Sequence, residues 1–266
     1  MGAEESDAVP GIFTFSTGKA PCLTTIEERL VLFADAGIEA VWLADFDSIR
    51  HQTPEEFVRI TLKEMGAVGV VCGFNFRFGK GASGDTGTLA TLCREEGIKC
   101  IVIDPITEDA LTISSTEIRR RLTLGDMEGV SALLGRPWSI SGRVAHGRAV
   151  GGKLLSSPTM NLPITEDRLL PPYGVYFTRC EMDGISYPAI TNLGVRPTFG
   201  ESELLAETHL LGVSGNFYGK MVKLEFLAFR RHERTFDSPA ELGAVIAQDI
   251  ASARAYFDLT SSEVNL

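Results

Sequence analysis

The pattern of apolar residues changes once along this chain of 266 residues, near residue 138. Before that point, short apolar segments alternate with amphipathic segments of helical period, as in "AVWLADF" followed by "TPEEFVRITLKEMG". This alternation is typical of a parallel α/β sheet. After residue 138, short strand-like segments are separated by turns that contain glycine and proline, which indicates a β-barrel. We therefore predict two domains, residues 1–135 and 136–266, with a helix that begins after Ser238 at the end of the second.

Charge and composition narrow the classes of partner. The net charge is −10, which argues against a broad role at nucleic acids or membrane surfaces, because both favour basic proteins. The five cysteines include no CxxC pair, which is typical of a reduced protein. The sequence shows neither an apolar run of the roughly 20 residues that span a membrane nor an apolar signal segment. We expect a cytoplasmic protein whose partners are small molecules.

The segment "GGKLLSSPTMNLP" carries two candidate metal ligands, Thr159 and Asn161. One residue separates them, so in an extended segment both side chains point to the same side. A hydroxyl and an amide carbonyl are oxygen ligands that suit Mg²⁺. The alternative is a turn stabilised by these two side chains. The preceding loop, "GRVAHGRAVGG", could bring backbone N–H groups close to a phosphate, but its glycine spacing is not that of a P-loop, and an ordinary turn is the alternative.

The strand-like segment "LLAETHLLGV" carries one acidic residue, Glu207. If the side chains alternate, Glu207 and His209 share one face of the strand and Thr208 lies on the other. Glu207 is then a candidate general base that takes the proton of a substrate hydroxyl. The alternative is a strand position that faces solvent.

A third candidate site lies upstream, in "ISSTEIRRRLTLGD". Ser114, Ser115 and Thr116 stand at the predicted start of a helix, where hydroxyls and free N–H groups can bind an anion. Arg119 follows one turn later on the same side. The alternative is an N-cap with nothing bound.

The order of these motifs resembles the bifunctional bacterial riboflavin kinase/FMN adenylyltransferase (FAD synthetase) family. The kinase half of that family runs SGxVxHGxxxGRxLGFPTAN, GVY, NxGxRPTF, ExHLL, YG and RxExxF. Here the corresponding segments are "SGRVAHGRAVGGKLLSSPTMNL", "GVY", "NLGVRPTFG", "ETHLL", "YGKMVKLEF" and "RHERTF", in the same order over residues 139–257. Three departures stand out: Ser156-Ser157 replaces Gly-Phe, Met160 replaces Ala, and Lys153 replaces Arg.

The resemblance implies a riboflavin kinase, which converts ATP and riboflavin to FMN and ADP. It assigns Thr159 and Asn161 to the Mg²⁺ of the nucleotide and makes Glu207 the base that activates the ribityl 5′-hydroxyl. The implied ATP-binding residues are Gly142, His146, Gly147, Gly152, Lys153, Pro158, Thr159 and Asn161. The implied flavin-binding residues are Asn192, Arg196, Arg231 and Glu233.

In the first half the resemblance covers two motifs and lacks one. "GFNFRFGKGASGD" matches the flavin loop of the adenylyltransferase half, with Asn75, Phe76 and Phe78, and "ISSTEIR" matches its nucleotide motif. The histidine-bearing GxFDGxHxGH turn has no counterpart, since none of the four histidines precedes His51, and TFDPHP is altered to "TFSTGKAP". We therefore expect an N-terminally truncated, Rossmann-like nucleotidyltransferase domain, inactive in FAD synthesis, followed by a β-barrel riboflavin kinase domain with a C-terminal helix.

Three functions stay open on the sequence. The first is a riboflavin kinase with an inactive adenylyltransferase half. The second is a bifunctional enzyme that also makes FAD from FMN and ATP. The third is a non-catalytic flavin-binding protein, against which the retention of Thr159, Asn161 and Glu207 argues.

Overall fold

The computed structural model describes residues 8–16, 21–108, 111–145, 159–165, 167–197 and 202–258. It divides into two compact units, Met1–Ile113 and Ser114–Leu266. This division comes earlier than the domain boundary predicted near residues 135–138. Of the two helices before that boundary, the second packs with the strands that follow, and the first packs with the second. Among the described residues, no helix is both long and apolar enough to cross a membrane.

The first unit alternates short strands and helices, as the sequence pattern predicts. Its elements are β1 (Gly11–Phe15), α1 (Ile26–Asp35), β2 (Ala40–Ala44), α2 (Phe46–Ile49), α3 (Pro54–Glu56) continued by a π-helical segment (Phe57–Leu62), β3 (Gly69–Gly73), a 3₁₀ turn (Lys80–Ala82), α4 (Thr86–Glu95), β4 (Lys99–Ile103), β5 (Thr107–Glu108) and β6 (Leu111–Thr112).

The parallel strands of this unit form two separate pairs instead of the single sheet that the alternation predicts. β1 pairs with β2 and β3 pairs with β4, both in parallel. One core joins the pairs, since Phe13 of β1 and Val70 of β3 pack against the same buried cluster around Val58 and Leu89. Among the described residues neither pair has a third strand, and Val71 of β3 is 62% exposed.

The helix starts follow the capping rules, with one shift. The sequence spacing predicts Thr53 as the N-cap of α3 with Glu56 at the third helical position, and the structure confirms it. For α1 the same spacing rule predicts a capping box of Thr24 and Glu27, but the structure forms it one residue later, with Thr25 and Glu28. Both threonines have a glutamate three residues later, so the spacing rule alone cannot choose between them.

The second unit begins with two helices and continues as an antiparallel sheet. Its elements are α5 (Ser115–Leu124), α6 (Met127–Leu134), β7 (Trp138–Arg143), β8 (Met160–Pro163), β9 (Gly174–Met182), β10 (Ile185–Pro197), β11 (Ser202–Leu210), β12 (Met221–His232) and α7 (Pro239–Tyr256). The six strands are ordered β7-β12-β9-β10-β11-β8. The dipeptide Asp183-Gly184 predicts a hairpin turn, and the structure has this turn between β9 and β10, with positive φ angles of 52° and 79° at the two residues, as a type I′ turn requires.

The sheet curls so that its two edge strands approach each other. Just beyond β7, the backbone N–H of Ala145 donates to the carbonyl of Asn161 on β8 at 2.8 Å. The interior is filled by Trp138, Tyr176 and Phe226, whose rings meet with centroids 5.1 Å apart. The strand pattern predicts a β-barrel, and the structure has a partly open one.

The outer face of the sheet carries the last helix. Val175, Phe177 and Ile190 are buried on that face, and Ile250 and Phe257 from the α7 region pack against them. Because residues alternate between faces, each strand that fills the barrel with one set of side chains offers the other set to α7 and to the surface beside it. Site residues can therefore stand on this outer face without disturbing the core.

Helix α6 supplies a testable consequence for the second unit. Its side chains Met127, Val130 and Leu133 are buried, and the helix packs against β12 and β7. Each such side chain contributes ~1.5–3 kcal/mol when buried. We expect a fragment of residues 114–266 to unfold in urea at a clearly higher midpoint than a fragment of residues 136–266, followed by circular dichroism. Equal midpoints would show that the helices are dispensable for the barrel.

Candidate active site

Three candidate residues form one row across neighbouring strands. Asn161 of β8 pairs with Glu207 of β11, and Glu207 pairs with Asn192 of β10. Directly paired residues point their side chains to the same face of a sheet. The row continues on that face through Val175 of β9 to Arg231 of β12. The fold thus brings together residues from motifs that lie far apart in the sequence.

Asn161 has the features of a ligand residue. It is only 4% exposed, and its side-chain oxygen Oδ1 is buried with no hydrogen-bond partner among the described residues. A buried acceptor without a partner costs free energy unless an ion or water satisfies it. Thr159, half-buried, precedes it by two residues. Oxygen donors of this kind fit a hard divalent cation such as Mg²⁺, which takes few protein ligands.

Glu207 is half-buried and forms an ion pair with an arginine. Its Oε1 forms an ion pair with Nη2 of Arg196, and the two side chains are 28% and 29% exposed. A charge-assisted contact between guanidinium and carboxylate restricts the orientation of both groups. The alternation predicted for β11 is confirmed, because Thr208 is buried in the barrel and bonds to Thr191 at 2.8 Å. Glu207 therefore stands at the surface as a fixed carboxylate.

Two flavin candidates, Asn192 and Arg231, lie in this row, and Glu233 lies beside it. Asn192 donates from Nδ2 to Oε1 of Glu233 at 3.2 Å. Arg231 bonds to Asp249 of α7, which the sequence interpretation did not include. The sequence did contain a signal for Asp249, since this acid stands four residues after Val245 and four before Ala253, on the apolar side of the helix. A charged residue at such a position usually has a specific partner.

His209 lies on the Glu207 side of β11, next to the last helix. Burial lowers its pKa, and the nearby positive charge of Arg254 on α7 lowers it further. Its Nδ1 is buried without a hydrogen-bond partner among the described residues. The imidazole is therefore held neutral in the folded protein at neutral pH.

This neutral histidine predicts a loss of stability in mild acid. A folded-state pKa below the unfolded value of about 6.5 means that the unfolded chain binds the proton more readily. Stability is then complete above that pH and falls as the pH drops through the values below it. We expect His209→Gln to flatten the decrease of the thermal midpoint between about pH 7.5 and 5. Parallel curves for the variant and the wild type would contradict the burial of a neutral imidazole.

The candidate nucleotide motif forms the N-terminal cap of α5. Ser114 is the N-cap residue and its hydroxyl accepts from the backbone N–H of Glu117 at 3.2 Å. Arg120 and Arg121 bond to the Glu117 carboxylate and lower its pKa to about 2. Ser115 and Thr116 occupy the first turn, and Arg119 lies one turn on. The structure thus shows Ser114 as the N-cap of α5, and anion binding by the same segment stays a prediction.

The candidate flavin loop of the first unit is built on aromatic packing. The rings of Phe76 and Phe78 stack at 5.7 Å with an angle of 12°. Phe78 is 6% exposed, and it lies so close to Gly84 that a methyl group there would be 2.6 Å from its ring. Asn75 precedes this pair in an exposed turn. Phe78 therefore shapes the loop from the core side.

Of the remaining candidate ATP-binding residues, only Gly142 is among the residues that the structure describes. Gly142 lies on β7, where a methyl group would be 2.8 Å from Leu162, so glycine permits close packing across the barrel opening. The candidates outside the described residues are His146, Gly147, Gly152, Lys153 and Pro158. Their roles stay predictions.

Comparison with known proteins agrees with the two halves of the chain. A family model described as riboflavin kinase matches residues 134–257, and one described as FAD synthetase matches residues 8–117. The crystal structure of a macrolide-efflux protein from Streptococcus pneumoniae superposes with a TM-score of 0.82 at 26% identity, covering 95% of this chain and 85% of that one.

Curated relatives match along most of the chain. The bifunctional riboflavin kinase/FMN adenylyltransferase of Escherichia coli K12 is 34% identical over 252 residues, which are 92% of this chain and 79% of that protein. The proteins of the same name from Pseudomonas fluorescens and Bacillus subtilis are 32% and 30% identical, covering 91% and 88% of this chain and 78% and 75% of their own lengths. The chain therefore belongs to the bifunctional riboflavin kinase/FMN adenylyltransferase family, with both of its domains present.

Proposed function

We propose that this protein is a riboflavin kinase that transfers the γ-phosphoryl group of ATP to the 5′-hydroxyl of riboflavin, giving FMN and ADP. The observation that carries the proposal is the row that sets Glu207 beside Asn161. It places a carboxylate able to accept a proton next to an oxygen donor able to hold a nucleotide's cation. Phosphoryl transfer requires these two functions side by side.

The residues of the row have separate tasks in this reaction. Thr159 and Asn161 would hold Mg²⁺, which when bound neutralises charge on the phosphate oxygens. Glu207 accepts the proton of the 5′-hydroxyl as that oxygen bonds to the γ-phosphorus and the bond to the ADP oxygen breaks. Arg196 fixes the carboxylate through its contact with Oε1. Asn192 and Glu233 lie beside the base, where they can orient the hydroxyl-bearing substrate.

We also propose that a polypeptide of this sequence stops at FMN. Adenylyl transfer needs charge stabilisation as pyrophosphate leaves. The family's TFDPHP segment, which lies next to the site of that transfer, is "TFSTGKAP" here and lacks the histidine. The family membership and the retained "SSTEIR" segment instead favour the second candidate, a bifunctional enzyme that makes FAD as well.

Product analysis separates these functions. Purified protein is incubated with riboflavin, ATP and Mg²⁺, and the flavins are resolved by chromatography. The proposal predicts FMN with no FAD above a no-enzyme control. FAD that accumulates would establish the bifunctional enzyme, and riboflavin that binds without conversion would establish a flavin-binding protein.

A further inference from the structure

An ion pair with a buried carboxylate joins the last helix to the last strand. Arg231 donates to Oδ2 of Asp249 from Nε at 2.9 Å and from Nη2 at 2.7 Å. Its third guanidinium nitrogen, Nη1, donates to the backbone carbonyl of His232 at 3.0 Å. Asp249 is only 4% exposed, and Arg230 Nε lies 3.6 Å from its other oxygen. Two nitrogens of Arg231 thus fasten β12 to α7, and the third bonds to the last residue of β12.

Two residues after Arg231, the chain is held against β10. Glu233 lies over Gly194, where a methyl group would be 2.0 Å from Oε1 and 2.6 Å from Cδ of the glutamate. Asn192 Nδ2 donates to the same Oε1 at 3.2 Å. The absence of a side chain at Gly194 therefore opens a notch that a carboxylate fills. Because Asn192 is the register partner of Glu207, this notch adjoins the candidate base.

We propose that Asp249, acting through Arg231, positions Glu233 in the Gly194 notch so that its carboxylate accepts a hydrogen bond from riboflavin. The proposal rests on the proposed function, because that function names the flavin. Riboflavin offers hydroxyl donors on its ribityl chain and an N–H donor on its ring, and an ionised carboxylate is an acceptor only. Asp249 does not touch the flavin and is a positioning residue.

The physical gain is preorganisation. Glu233 is exposed, and an exposed glutamate without an anchor occupies many rotamers that ligand binding would have to restrict. The Arg231–Asp249 pair fixes the backbone that carries Glu233, and the notch fixes its side chain. Loss of either anchor should weaken flavin binding, because the Glu233 carboxylate would no longer be held in place.

Riboflavin binding is measured in the absence of nucleotide, with the quenching of flavin fluorescence as the signal. This measurement tests the proposal separately from turnover. Asp249→Asn and Gly194→Ala should each raise the Kd for riboflavin roughly tenfold or more, the range for hydrogen bonds to charged groups, with the KM for ATP unchanged. Gly194→Ala leaves the Arg231–Asp249 ion pair in place, so it decides the question if Asp249→Asn fails to fold. Gln248→Ala on the same helix and Val195→Ala beside the notch are matched controls.

A double-mutant cycle distinguishes positioning from general destabilisation. In a Glu233→Ala background, Asp249→Asn should add nothing further to the Kd, because the group that it positions is already gone. Wild-type Kd values in folded Asp249→Asn and Gly194→Ala, or effects that simply add, would overturn the proposal. If the wild type forms FMN and the variants keep its Kd values, only the positioning proposal is contradicted. If the wild type binds riboflavin but forms no FMN, only the proposed kinase activity is contradicted. A wild type that binds no riboflavin contradicts both.

Discussion

Replacement of Glu207 by glutamine is expected to reduce the rate of FMN formation about 10²–10⁴-fold, the usual contribution of a general base. The amide keeps the shape of the carboxylate but cannot take the hydroxyl proton. Binding of riboflavin and of ATP should persist, because the variant leaves Asn161 and Asn192 in place on the neighbouring strands. The measurement is kcat at saturating substrates, together with both binding constants.

The control for this variant is Glu203→Gln, on the same strand and the same face. Glu203 is exposed and pairs with Arg196 across β10 and β11, so its replacement also changes one carboxylate near that guanidinium. It should leave kcat within the scatter of the wild type. A decrease of less than tenfold for Glu207→Gln would remove Glu207 from the role of base.

Replacement of Asn161 by leucine is expected to have opposite effects on activity and stability. Activity should fall by roughly 100-fold or more, since even residues that merely orient a metal ligand contribute about 10–100-fold. Stability without ligands should rise, because Oδ1 is buried without a partner among the described residues and such a group costs about 1–3 kcal/mol. Leucine has the same number of side-chain heavy atoms, branched at the same carbon, and no polar atom to satisfy.

Two measurements check this pair of effects. Activity is followed as a function of Mg²⁺ concentration, and the free energy of unfolding is measured in urea without nucleotide. Met160→Leu, a swap of similar volume at the preceding position facing the barrel interior, should change neither much. A variant that keeps its activity, or that is less stable than the wild type, would show that Asn161 is a structural residue.

Local sequence patterns predicted the faces of the strands but not their partners. Alternation placed Glu207 and Thr208 on opposite faces, and Asp183-Gly184 identified the hairpin between β9 and β10. The pairing of Glu207 with Asn161 joins strands about 45 residues apart in the chain, and register between distant strands depends on tertiary packing. The resemblance to the family supplied what the pattern lacked, by naming both residues for one site.

The parts that sequence interpretation missed are set by tertiary contacts. A single sheet was expected in the first unit, but hydrophobic runs indicate strands without indicating which strands pair, and the structure has two separate pairs. The position of Asp249 on the apolar side of the last helix indicates that this acid has a specific partner, but the sequence does not say which residue that partner is. That partner, Arg231, had instead been assigned to the flavin by resemblance.

Transfer of labelled phosphate tests the central claim most directly. Purified protein is given riboflavin, Mg²⁺ and ATP labelled at the γ-phosphorus, and the label is followed together with ADP. The proposed kinase predicts that the label enters FMN in proportion to the ADP formed, and that omission of riboflavin prevents its release. Label that appears only as inorganic phosphate, or that stays in ATP while riboflavin is bound, would contradict the proposed riboflavin kinase activity.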